Sequence, residues 1–317
     1  MRAIRFHEHG GPEVLRLDEI EKPQPGAGEV LIRTVVAGIN YADTMLRRGN
    51  YLMKPPLPFT PGFEVAGTIE ALGAGVEDLH IGQRVMATVQ GGGYAEYAAG
   101  KAAQVVPVPD QLEFGRATAL LVQGLTALGL LKGVRAGQTV LVHAAAGGVG
   151  SLLVQLAKLR GARVIGTAST AAKLDIVSGL GADAVVNYTE ANWTEQVATA
   201  TGGEGVDLLI EMVGGRIGEQ NIKCLRQGAT MIVYGAASGE DFSISALGLL
   251  GRNLTVRGYT LYSEMPDALA GFTHELMSHV SADRLQVRVQ EFPLTAATEA
   301  HTAIEGRKTT GKVVLTM

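Results

Sequence analysis

A glycine-rich turn between an apolar strand and a helix has the residue types for binding an anionic ligand. The strand candidate 139–144 runs into glycines at 147, 148 and 150, and apolar residues recur beyond them at helical spacing. This order of strand, glycine turn and helix predicts a dinucleotide site, although a glycine turn alone also caps ordinary helices. The glycines allow close approach of a pyrophosphate and of the helix, and first-turn N–H groups point at the anion. The predicted pyrophosphate site is Ala146, Gly147, Gly148, Val149 and Gly150.

The end of the next strand candidate, 163–168, indicates which dinucleotide is bound. About 20 residues past the glycines, an NAD site has a carboxylate for the ribose 2′-hydroxyl. No acid stands between Gly166 and Lys173, and Ser169, Thr170 and Lys173 can donate hydrogen bonds to a 2′-phosphate. A first-turn lysine is disfavoured by the helix dipole unless an anion is near. The pattern predicts NADPH; the alternative is a simple N-cap at Ser169 or Thr170 with a solvated Lys173.

The composition limits the class of protein. A length of 317 residues predicts two domains, and 46% hydrophobic with 18% charged residues predicts a large core rather than disorder. The net charge of −4 disfavours nucleic acid or an anionic membrane as the main partner. A single cysteine, Cys224, excludes internal disulfides and fits a reducing compartment. Neither a signal peptide nor a run of about 20 apolar residues is found, so the expected location is the cytoplasm.

Two sequence patterns divide the chain. In the first 110 residues, short β-like runs between Pro and Gly turns predict an antiparallel, barrel-like domain, with strands at 30–36, 64–72, 84–88 and 94–99. A helical run to Leu131 follows, and then strands alternate with helices. These predict a doubly wound parallel sheet of six strands, at 139–144, 163–168, 184–187, 206–211, 231–234 and 254–258. The predicted domains are residues 1–118, residues 119–262, and a tail, 263–317, that returns to the first domain.

Five motifs resemble those of a known family. They are AGINYAD at 37–43, PGFEVAG at 61–67, GGYAEY at 92–97, HAAAGGVG at 143–150 and GKVV at 311–314. Together they resemble the zinc-independent, zeta-crystallin-like quinone oxidoreductases of the medium-chain dehydrogenase/reductase superfamily, over essentially the whole chain. The resemblance implies an α/β fold with a GroES-like antiparallel β-barrel domain that is catalytic, a Rossmann domain that binds NADPH, and a cofactor in the cleft between them.

The resemblance also implies further cofactor contacts. It places Ser169, Lys173, Tyr188 and Arg307 at the adenosine phosphate. Around the ribose and the nicotinamide it places Thr126, Met212, Gly235, Ala236, Tyr259, Thr260 and Leu261.

No metal site is expected. Zinc alcohol dehydrogenases of this superfamily have a cysteine where Asn40 stands and a histidine where Phe63 stands, and neither Asn nor Phe is a tight zinc ligand. The four-cysteine lobe of those relatives is missing, and the seven histidines lack the i, i+4 spacing of a ligand pair. Solvated or core histidines are the default. The expected substrate is therefore one that accepts hydride without a Lewis acid, such as a conjugated or quinoid carbonyl.

Asn40, Asp43 and Tyr51 are the candidate catalytic residues, because they match polar positions that line the nicotinamide cleft in the family. A phenol, with an ordinary pKa of about 10, can donate a proton or a hydrogen bond to a developing oxyanion. In the alternative, Asn40 closes a turn, Asp43 caps a helix, and Tyr51 is a half-buried ring. Met45 stands where many quinone reductases have a tyrosine, which counts against a simple transfer of the quinone preference.

Three functions stay open. The favoured one is an NADPH-dependent quinone reductase; the second is an NADPH-dependent reductase of activated alkenes, such as enones or 2-enoyl thioesters, with Tyr51 as proton donor. The third is an NADPH-binding sensor or structural protein without turnover. The expected partner is a small-molecule substrate, with neither nucleic acid nor membrane. Strand candidate 254–258 would leave an exposed apolar edge, which relatives join across a two-fold axis, so a homodimer is expected.

Overall fold

The computed structural model describes all 317 residues and divides into two compact units. The first unit is Met1–Val122 with Val287–Met317, and the second is Gln123–Gln286. The strands are β1 (Arg2–Phe6), β2 (Leu15–Glu19), β3 (Glu29–Ile39), β4 (Glu64–Leu72), β5 (Arg84–Thr88), β6 (Tyr97–Lys101), β7 (Val105–Pro107), β8 (Thr139–Val142), β9 (Arg163–Ala168), β10 (Ala184–Asn187), β11 (Val206–Glu211), β12 (Leu225–Val233), β13 (Thr255–Gly258), β14 (Val289–Pro293) and β15 (Lys312–Thr316).

Ten α-helices connect these strands, together with short 3₁₀ turns and one π-helical turn at Leu120–Gly124. The helices are α1 (Tyr41–Arg47), α2 (Phe114–Ala119), α3 (Leu125–Leu130), α4 (Gly148–Leu159), α5 (Ala171–Gly179), α6 (Trp193–Ala200), α7 (Gly215–Gln220), α8 (Ala246–Arg252), α9 (Pro266–Ser281) and α10 (Ala297–Glu305). None of the helices combines the length and the apolar character that crossing a bilayer requires.

The first unit is built on a seven-stranded sheet around the long strand β3. The order is β14-β15-β3-β4-β5-β7, and β6 also pairs with β3. All these pairs are antiparallel except β14 with β15. Its core consists of apolar residues from alternate strand positions, such as Val30, Ile32 and Val65. The predicted antiparallel character of this region is confirmed.

The second unit is a six-stranded sheet in the order β10-β9-β8-β11-β12-β13, in which every pair is parallel. Its central strands are almost fully buried, as expected for a parallel sheet covered by helices on both faces. The predicted doubly wound sheet is confirmed. One strand is longer than its apolar pattern indicates: β12 starts at Leu225 rather than at 231. The three residues after Leu225, at 226–228, are exposed and interrupt the apolar pattern.

The limits of the two units differ from the expected domain boundaries. The first limit lies after Val122, where the helical run breaks at Leu121, whose ψ of −107° is not helical. The second lies before Val287, because α9 stays in the second unit. Leu276 of α9 is fully buried, and Arg160 donates to Glu275 over 3.1 Å. Residues 263–286 therefore belong with the parallel sheet, whereas the sequence placed them in the returning tail.

Candidate functional site

The carboxyl ends of the six parallel strands hold most of the expected cofactor residues of the second unit. Because all strands of a parallel sheet end at one edge, the segments that follow them lie side by side, and open α/β sheets bind ligands at this edge. Main-chain bonds connect neighbouring segments: Tyr234 N donates to Glu211 O over 3.0 Å, and Ala237 N to Met212 O over 2.8 Å. The residues at this edge are Gly147, Gly148, Gly150, Ser169, Tyr188, Met212, Gly235, Ala236, Tyr259, Thr260 and Leu261.

The glycine turn has the close backbone packing that a pyrophosphate site needs. Helix α4 begins after the N-cap Gly147, and no side chain caps its first N–H groups. A Cβ on Gly150 would overlap the carbonyl oxygen of Ala144 and lie 2.7 Å from Ala145 Cα. Ala144 adopts a left-handed conformation with φ 48°, which is uncommon outside glycine. The turn is thus closely packed main chain that leaves the first N–H groups of α4 uncapped, and these N–H groups fit an anion at the helix N-terminus.

The expected 2′-phosphate site lies at the start of α5. Thr170 is the N-cap of this helix, and its Oγ1 accepts from Lys173 N over 3.4 Å, so the alternative role of a capping residue holds for Thr170. Ser169 and Lys173 are partly exposed. Tyr188 is buried and packs edge-on against the ring of His143, with 6.1 Å between centroids. Arg307 belongs to the first unit, where it follows α10 with a φ of 55° and an exposed side chain.

The remaining expected cofactor residues of the second unit differ in exposure. Thr126 lies in α3 and is buried, and Met212 is partly exposed. The Tyr259 ring is buried with its hydroxyl against Gly129, and burial raises the pKa of this phenol. The segment that follows β13 therefore offers its main chain and the side chain of Thr260 rather than the Tyr259 hydroxyl.

In the first unit, two charged side chains fix the amide of Asn40. Asn40 precedes α1 as its N-cap, and its Nδ2 donates to Glu64 Oε1 over 2.6 Å. Its Oδ1 accepts from Lys312 Nζ over 3.3 Å, and the same ammonium donates to Ile39 O over 3.2 Å. Lys312 and Glu64 also form an ion pair in which both side chains are fully buried. Because a carboxylate only accepts and an ammonium only donates, the amide has one orientation.

Sequence reasoning gave no role to Glu64 or Lys312, although both lie in the recognised motifs. Each is a charged residue that begins a strand and is followed by at least three non-polar residues, and this pattern could have indicated a buried charge. The main chain completes the arrangement. Val122 N donates to Glu64 Oε2 over 3.0 Å, and a Cβ at Gly38 would come within 2.6 Å of the Glu64 side chain. Glycine at position 38 therefore leaves the room that this carboxylate occupies.

Asp43 supports α1 and is not open to a substrate. Its side chain is fully buried, and its Oδ2 accepts from Asn40 N over 2.8 Å and from the Tyr94 hydroxyl over 3.1 Å. Oδ1 has no hydrogen-bond partner. Burial raises the Asp43 pKa to about 7, against the lowering effect of the two donors. The alternative of a capping residue describes this side chain better than a position on the cleft wall.

A directional line of hydrogen bonds leads to Asp43. Arg47 Nη1 lies 3.1 Å from His301 Nδ1, and His301 Nε2 lies 3.1 Å from the Tyr94 hydroxyl. Arginine only donates, so Nδ1 accepts, Nε2 donates to Tyr94, and Tyr94 donates to Asp43. Burial, with the charge of Arg47 adding to it, lowers the His301 pKa to about 3. Glu305 accepts from Arg47 Nη2 over 2.5 Å and balances its charge.

Tyr51 is the most accessible phenol among the candidate residues. It follows α1, packs at the border of the first unit's core, and is half-buried. Burial raises the pKa of this phenol, and the charge of Asp43 adds to the effect. The next residue, Leu52, is 84% exposed. The structure thus joins Asn40 directly to Asp43, and it places Tyr51 within reach of the charge of Asp43.

The positions that carry zinc ligands in the alcohol dehydrogenases have other contacts here. The Asn40 amide is held by Glu64 and Lys312, and Phe63 is buried in the apolar core. No group of three or more His, Cys, Asp or Glu side chains is arranged to hold a metal ion.

Two family models match the chain: an alcohol dehydrogenase GroES-like domain over residues 26–110 and a zinc-binding dehydrogenase domain over residues 148–276. The quinone oxidoreductase of Rattus norvegicus is 35% identical over 322 residues, which cover 99% of this chain and 97% of the rat protein. The Escherichia coli quinone oxidoreductase, solved in complex with NADPH, is 33% identical and has a TM-score of 0.95 over 100% of both chains. The CurK enoyl reductase is 26% identical, with a TM-score of 0.89 over 100% of this chain and 99% of that one.

Proposed function

This chain belongs to the quinone oxidoreductase family of the medium-chain dehydrogenase/reductase superfamily, and we propose that it reduces quinones or similar conjugated carbonyls with NADPH. The glycine turn at the carboxyl edge of the parallel sheet carries this proposal, because its closely packed main chain and the uncapped N–H groups of α4 fit a pyrophosphate, and because the chain is related over its full length to quinone oxidoreductases. The NADPH complex of the Escherichia coli relative supports the choice of cofactor. The absence of an acid between Gly166 and Lys173 supports it independently.

The residues of the second unit would hold the cofactor. The turn at Gly147 and Gly150 takes the pyrophosphate, and Ser169 and Lys173 take the 2′-phosphate. When bound, NADPH supplies the hydride. The other proposed contacts are Thr126, Ala146, Gly148, Val149, Tyr188, Met212, Gly235, Ala236, Tyr259, Thr260, Leu261 and, in the first unit, Arg307.

The residues of the first unit act on the oxygen where negative charge develops. Tyr51 donates a hydrogen bond or a proton to this oxygen, and its phenol keeps its proton because burial and Asp43 raise its pKa. Asn40 offers an amide whose orientation is set before the substrate arrives, which avoids reorganisation during the reaction. Asp43 holds the start of α1, and thereby the position of Asn40.

The substitution Tyr51→Phe separates the two enzyme functions. An alkene substrate needs a proton at carbon through an enolate, so loss of the hydroxyl should lower turnover about 100-fold or more. Solvent can protonate a reduced quinone, so the same variant should lose less than about tenfold on quinones. The loss of turnover on each substrate class is measured as the rate of NADPH oxidation, with a panel of quinones and a panel of enones. The structural likeness to an enoyl reductase is the reason for keeping the alkene activity as second candidate.

The controls for this experiment use the wild type. Faster turnover of quinones than of enones, with a small effect of Tyr51→Phe, supports quinone reduction. Higher activity on enones with a large effect supports the alkene reductase. Absence of turnover with either panel, together with NADPH binding, would leave a sensor or structural protein. If Tyr51→Phe loses little turnover on either quinones or enones, Tyr51 has a role in packing only.

The proposed 2′-phosphate site is tested by Lys173→Ala. This change should weaken NADPH binding by about 1–3 kcal/mol, which is the range for a charge-assisted contact, and leave NADH binding nearly unchanged. Titration calorimetry with both cofactors measures this difference. Equal effects on the two cofactors, or a wild-type preference for NADH, would overturn the assignment.

We also propose that catalysis needs no zinc, since Asn40 and Phe63 stand at the ligand positions. Purified protein should hold no stoichiometric zinc and keep its activity after dialysis against a chelator. Activity that is lost on dialysis and restored by zinc would contradict this.

A homodimer across the free edge of β13 is proposed as the working assembly. Strand β13 is the last in its sheet, and in the segments that precede and follow it in the chain four large apolar side chains are more than 70% exposed: Leu247, Leu250, Tyr262 and Met265. An apolar edge of this kind is usually covered by another chain. Light scattering at micromolar concentration should give the mass of a dimer, and a monomer would contradict the proposal.

A further inference from the structure

Four polar side chains form a line of hydrogen bonds under the carboxyl edge of the parallel sheet. Thr167 of β9, His143 after β8, Asn221 after α7 and Glu211 at the end of β11 are all fully buried. His143 Nδ1 lies 2.7 Å from Thr167 Oγ1, and its Nε2 lies 2.7 Å from Asn221 Oδ1. Asn221 Nδ2 donates to Glu211 Oε2. We call these four side chains the sheet-edge network.

The donors of the sheet-edge network all point toward Glu211. Its Oε1 accepts from Val213 N over 2.5 Å and from Gly214 N over 2.6 Å. Hydrogen bonds from neutral donors therefore stabilise this carboxylate, and no lysine or arginine forms an ion pair with it. Because a carboxylate only accepts, Asn221 turns its amide nitrogen to Glu211 and its oxygen to His143. This orientation requires a proton on His143 Nε2, and in a neutral ring the Thr167 hydroxyl then donates to Nδ1.

The network connects two turns that the proposed function assigns to different parts of the cofactor. His143 is followed by Ala144, whose left-handed conformation opens the glycine turn. Glu211 is followed by Met212, and it holds the main chain of the next two residues. The His143 ring also packs edge-on against Tyr188 and against Trp193, with 5.5 Å between centroids for the tryptophan.

We propose that the sheet-edge network positions the glycine turn and the turn at residues 212–214 relative to each other, so that the cofactor meets both in one geometry. This inference rests on the proposed binding of NADPH at this edge. His143, Asn221 and Glu211 are positioning residues, since buried side chains act on the ligand only through the turns they hold. Fixed geometry of this kind raises affinity by lowering the cost of ordering the site.

The test measures cofactor affinity in a variant that lacks the central hydrogen bonds of the sheet-edge network. Asn221→Leu removes the acceptor of His143 and a donor to Glu211, and it should raise the Kd for NADPH and for NADH about tenfold each. The equal effect on the two cofactors separates this role from the 2′-phosphate site. Titration calorimetry, at a temperature where circular dichroism shows the variant folded, gives both constants. Hydrogen exchange at the amides of Val213 and Gly214 should also become faster.

The matched control is Thr167→Val, which removes a buried hydrogen bond at the end of the line and leaves the link between the two turns intact. It should lower stability but change both constants by less than about twofold. If Asn221→Leu does not fold, His143→Phe replaces it, because a phenyl ring keeps the packing on Tyr188 and Trp193 and breaks both hydrogen bonds.

The affinities of the variants support or overturn the positioning role of the sheet-edge network. A tenfold loss for the central variants, with little change for the control, supports the proposal. Unchanged affinity in Asn221→Leu, or the same loss of affinity in Thr167→Val, would overturn it and leave the network a role in stability alone. Failure of the wild type to bind NADPH would overturn the proposed function itself, and the affinity of the variants would not matter.

Discussion

Each unit contains an asparagine that bridges a carboxylate and a nitrogen donor, but the two bridges differ in charge and in burial, since Asn40 is partly exposed and Asn221 is fully buried. In the first unit, Asn40 donates to Glu64 over 2.6 Å and accepts from Lys312 over 3.3 Å. In the second, Asn221 donates to Glu211 and accepts from His143 over 2.7 Å. Lys312 also pairs directly with Glu64, whereas Glu211 lies 3.6 Å from the His143 ring and is held mainly by main-chain N–H groups.

The difference lies in whether the bridge can be reversed. An ammonium has donors only, so the orientation of Asn40 between Lys312 and Glu64 cannot change. A neutral imidazole has one donor and one acceptor nitrogen and can exchange them, so the Glu211 carboxylate alone sets the direction of the line through Asn221, and the line could reverse if that carboxylate were replaced by an amide. A group that acts on a substrate needs a single orientation, and charges impose it. A group that connects two turns needs only an unbroken line.

The largest expected effect comes from removing the charge of the first bridge. Glu64→Gln leaves the Lys312 ammonium buried without a counter-charge, and the free energy of unfolding should fall by about 3–5 kcal/mol. Quinone turnover should fall as well, because a glutamine can turn either its oxygen or its nitrogen toward Asn40, so a carboxylate no longer fixes the orientation of the Asn40 amide. Urea denaturation followed by circular dichroism measures the stability.

The control for this variant removes the cation as well. The double variant Glu64→Gln with Lys312→Met should be more stable than Glu64→Gln alone, since no unpaired charge remains. Additive losses in the double variant would mean that the ion pair does not dominate this bridge, and the comparison with the second unit would fail.

The fold was largely predictable because its elements are marked locally. The bounds predicted for 163–168, 184–187 and 206–211 equal those of β9, β10 and β11, since apolar runs there end at turn residues. Strand β12 was predicted too short, because the exposed residues at 226–228 interrupt its apolar pattern after Leu225. The unit to which α9 belongs was predicted wrongly. Hydrophobic periodicity shows which face of a helix is buried, but it does not show which unit that face packs against.

The site was predictable only where its residues are neighbours in the chain. The glycine turn is a contiguous motif, and the structure shows the close packing expected at Gly150. The buried networks are assembled across the chain: Lys312 and Glu64 are 248 positions apart, and Arg47 and His301 are 254 apart. No spacing rule relates such residues. Family likeness pointed to Asn40 and Asp43, but the burial of Asp43 follows from packing alone.

The next effect concerns the pH dependence of stability. Two groups of the first unit, Asp43 and His301, change the free energy of unfolding in opposite directions as the pH rises. Asp43 has its pKa raised from 3.8 to about 7, so its contribution to stability is full below pH 3.8 and is lost as the pH rises through 7. His301 has its pKa lowered from 6.5 to about 3, so its contribution is full above pH 6.5 and is lost as the pH falls through 3. Between these limits the two slopes cancel.

Single substitutions should reveal each slope. Relative to the wild type, the stability of Asp43→Asn should rise with pH, and that of His301→Gln should fall with pH, each by about 1.4 kcal/mol per pH unit. Urea denaturation at several values between about pH 4.5 and 6 measures the slopes. A double variant should regain the wild-type slope. Slopes of the same sign in the two single variants would contradict the opposing roles.

The smallest effect is expected for Glu211→Gln, the counterpart of Glu64→Gln in the second unit. The new amide can keep its oxygen toward Val213 N and Gly214 N and turn its nitrogen toward Asn221. Asn221 then flips, and His143 moves its proton from Nε2 to Nδ1, which donates to Thr167. The whole line reverses without leaving a buried charge, so the loss of stability should be only about 1 kcal/mol.

Two measurements check the reversal. Urea denaturation gives the stability, and long-range ¹H–¹⁵N spectra, assigned by comparison with His143→Phe, give the tautomer of His143. The wild type should show the Nε2–H form and Glu211→Gln the Nδ1–H form. A loss as large as that of Glu64→Gln, or an unchanged tautomer, would show that the second bridge is as fixed as the first. Cofactor affinity should stay within about twofold of wild type, because a reversed line still connects the two turns.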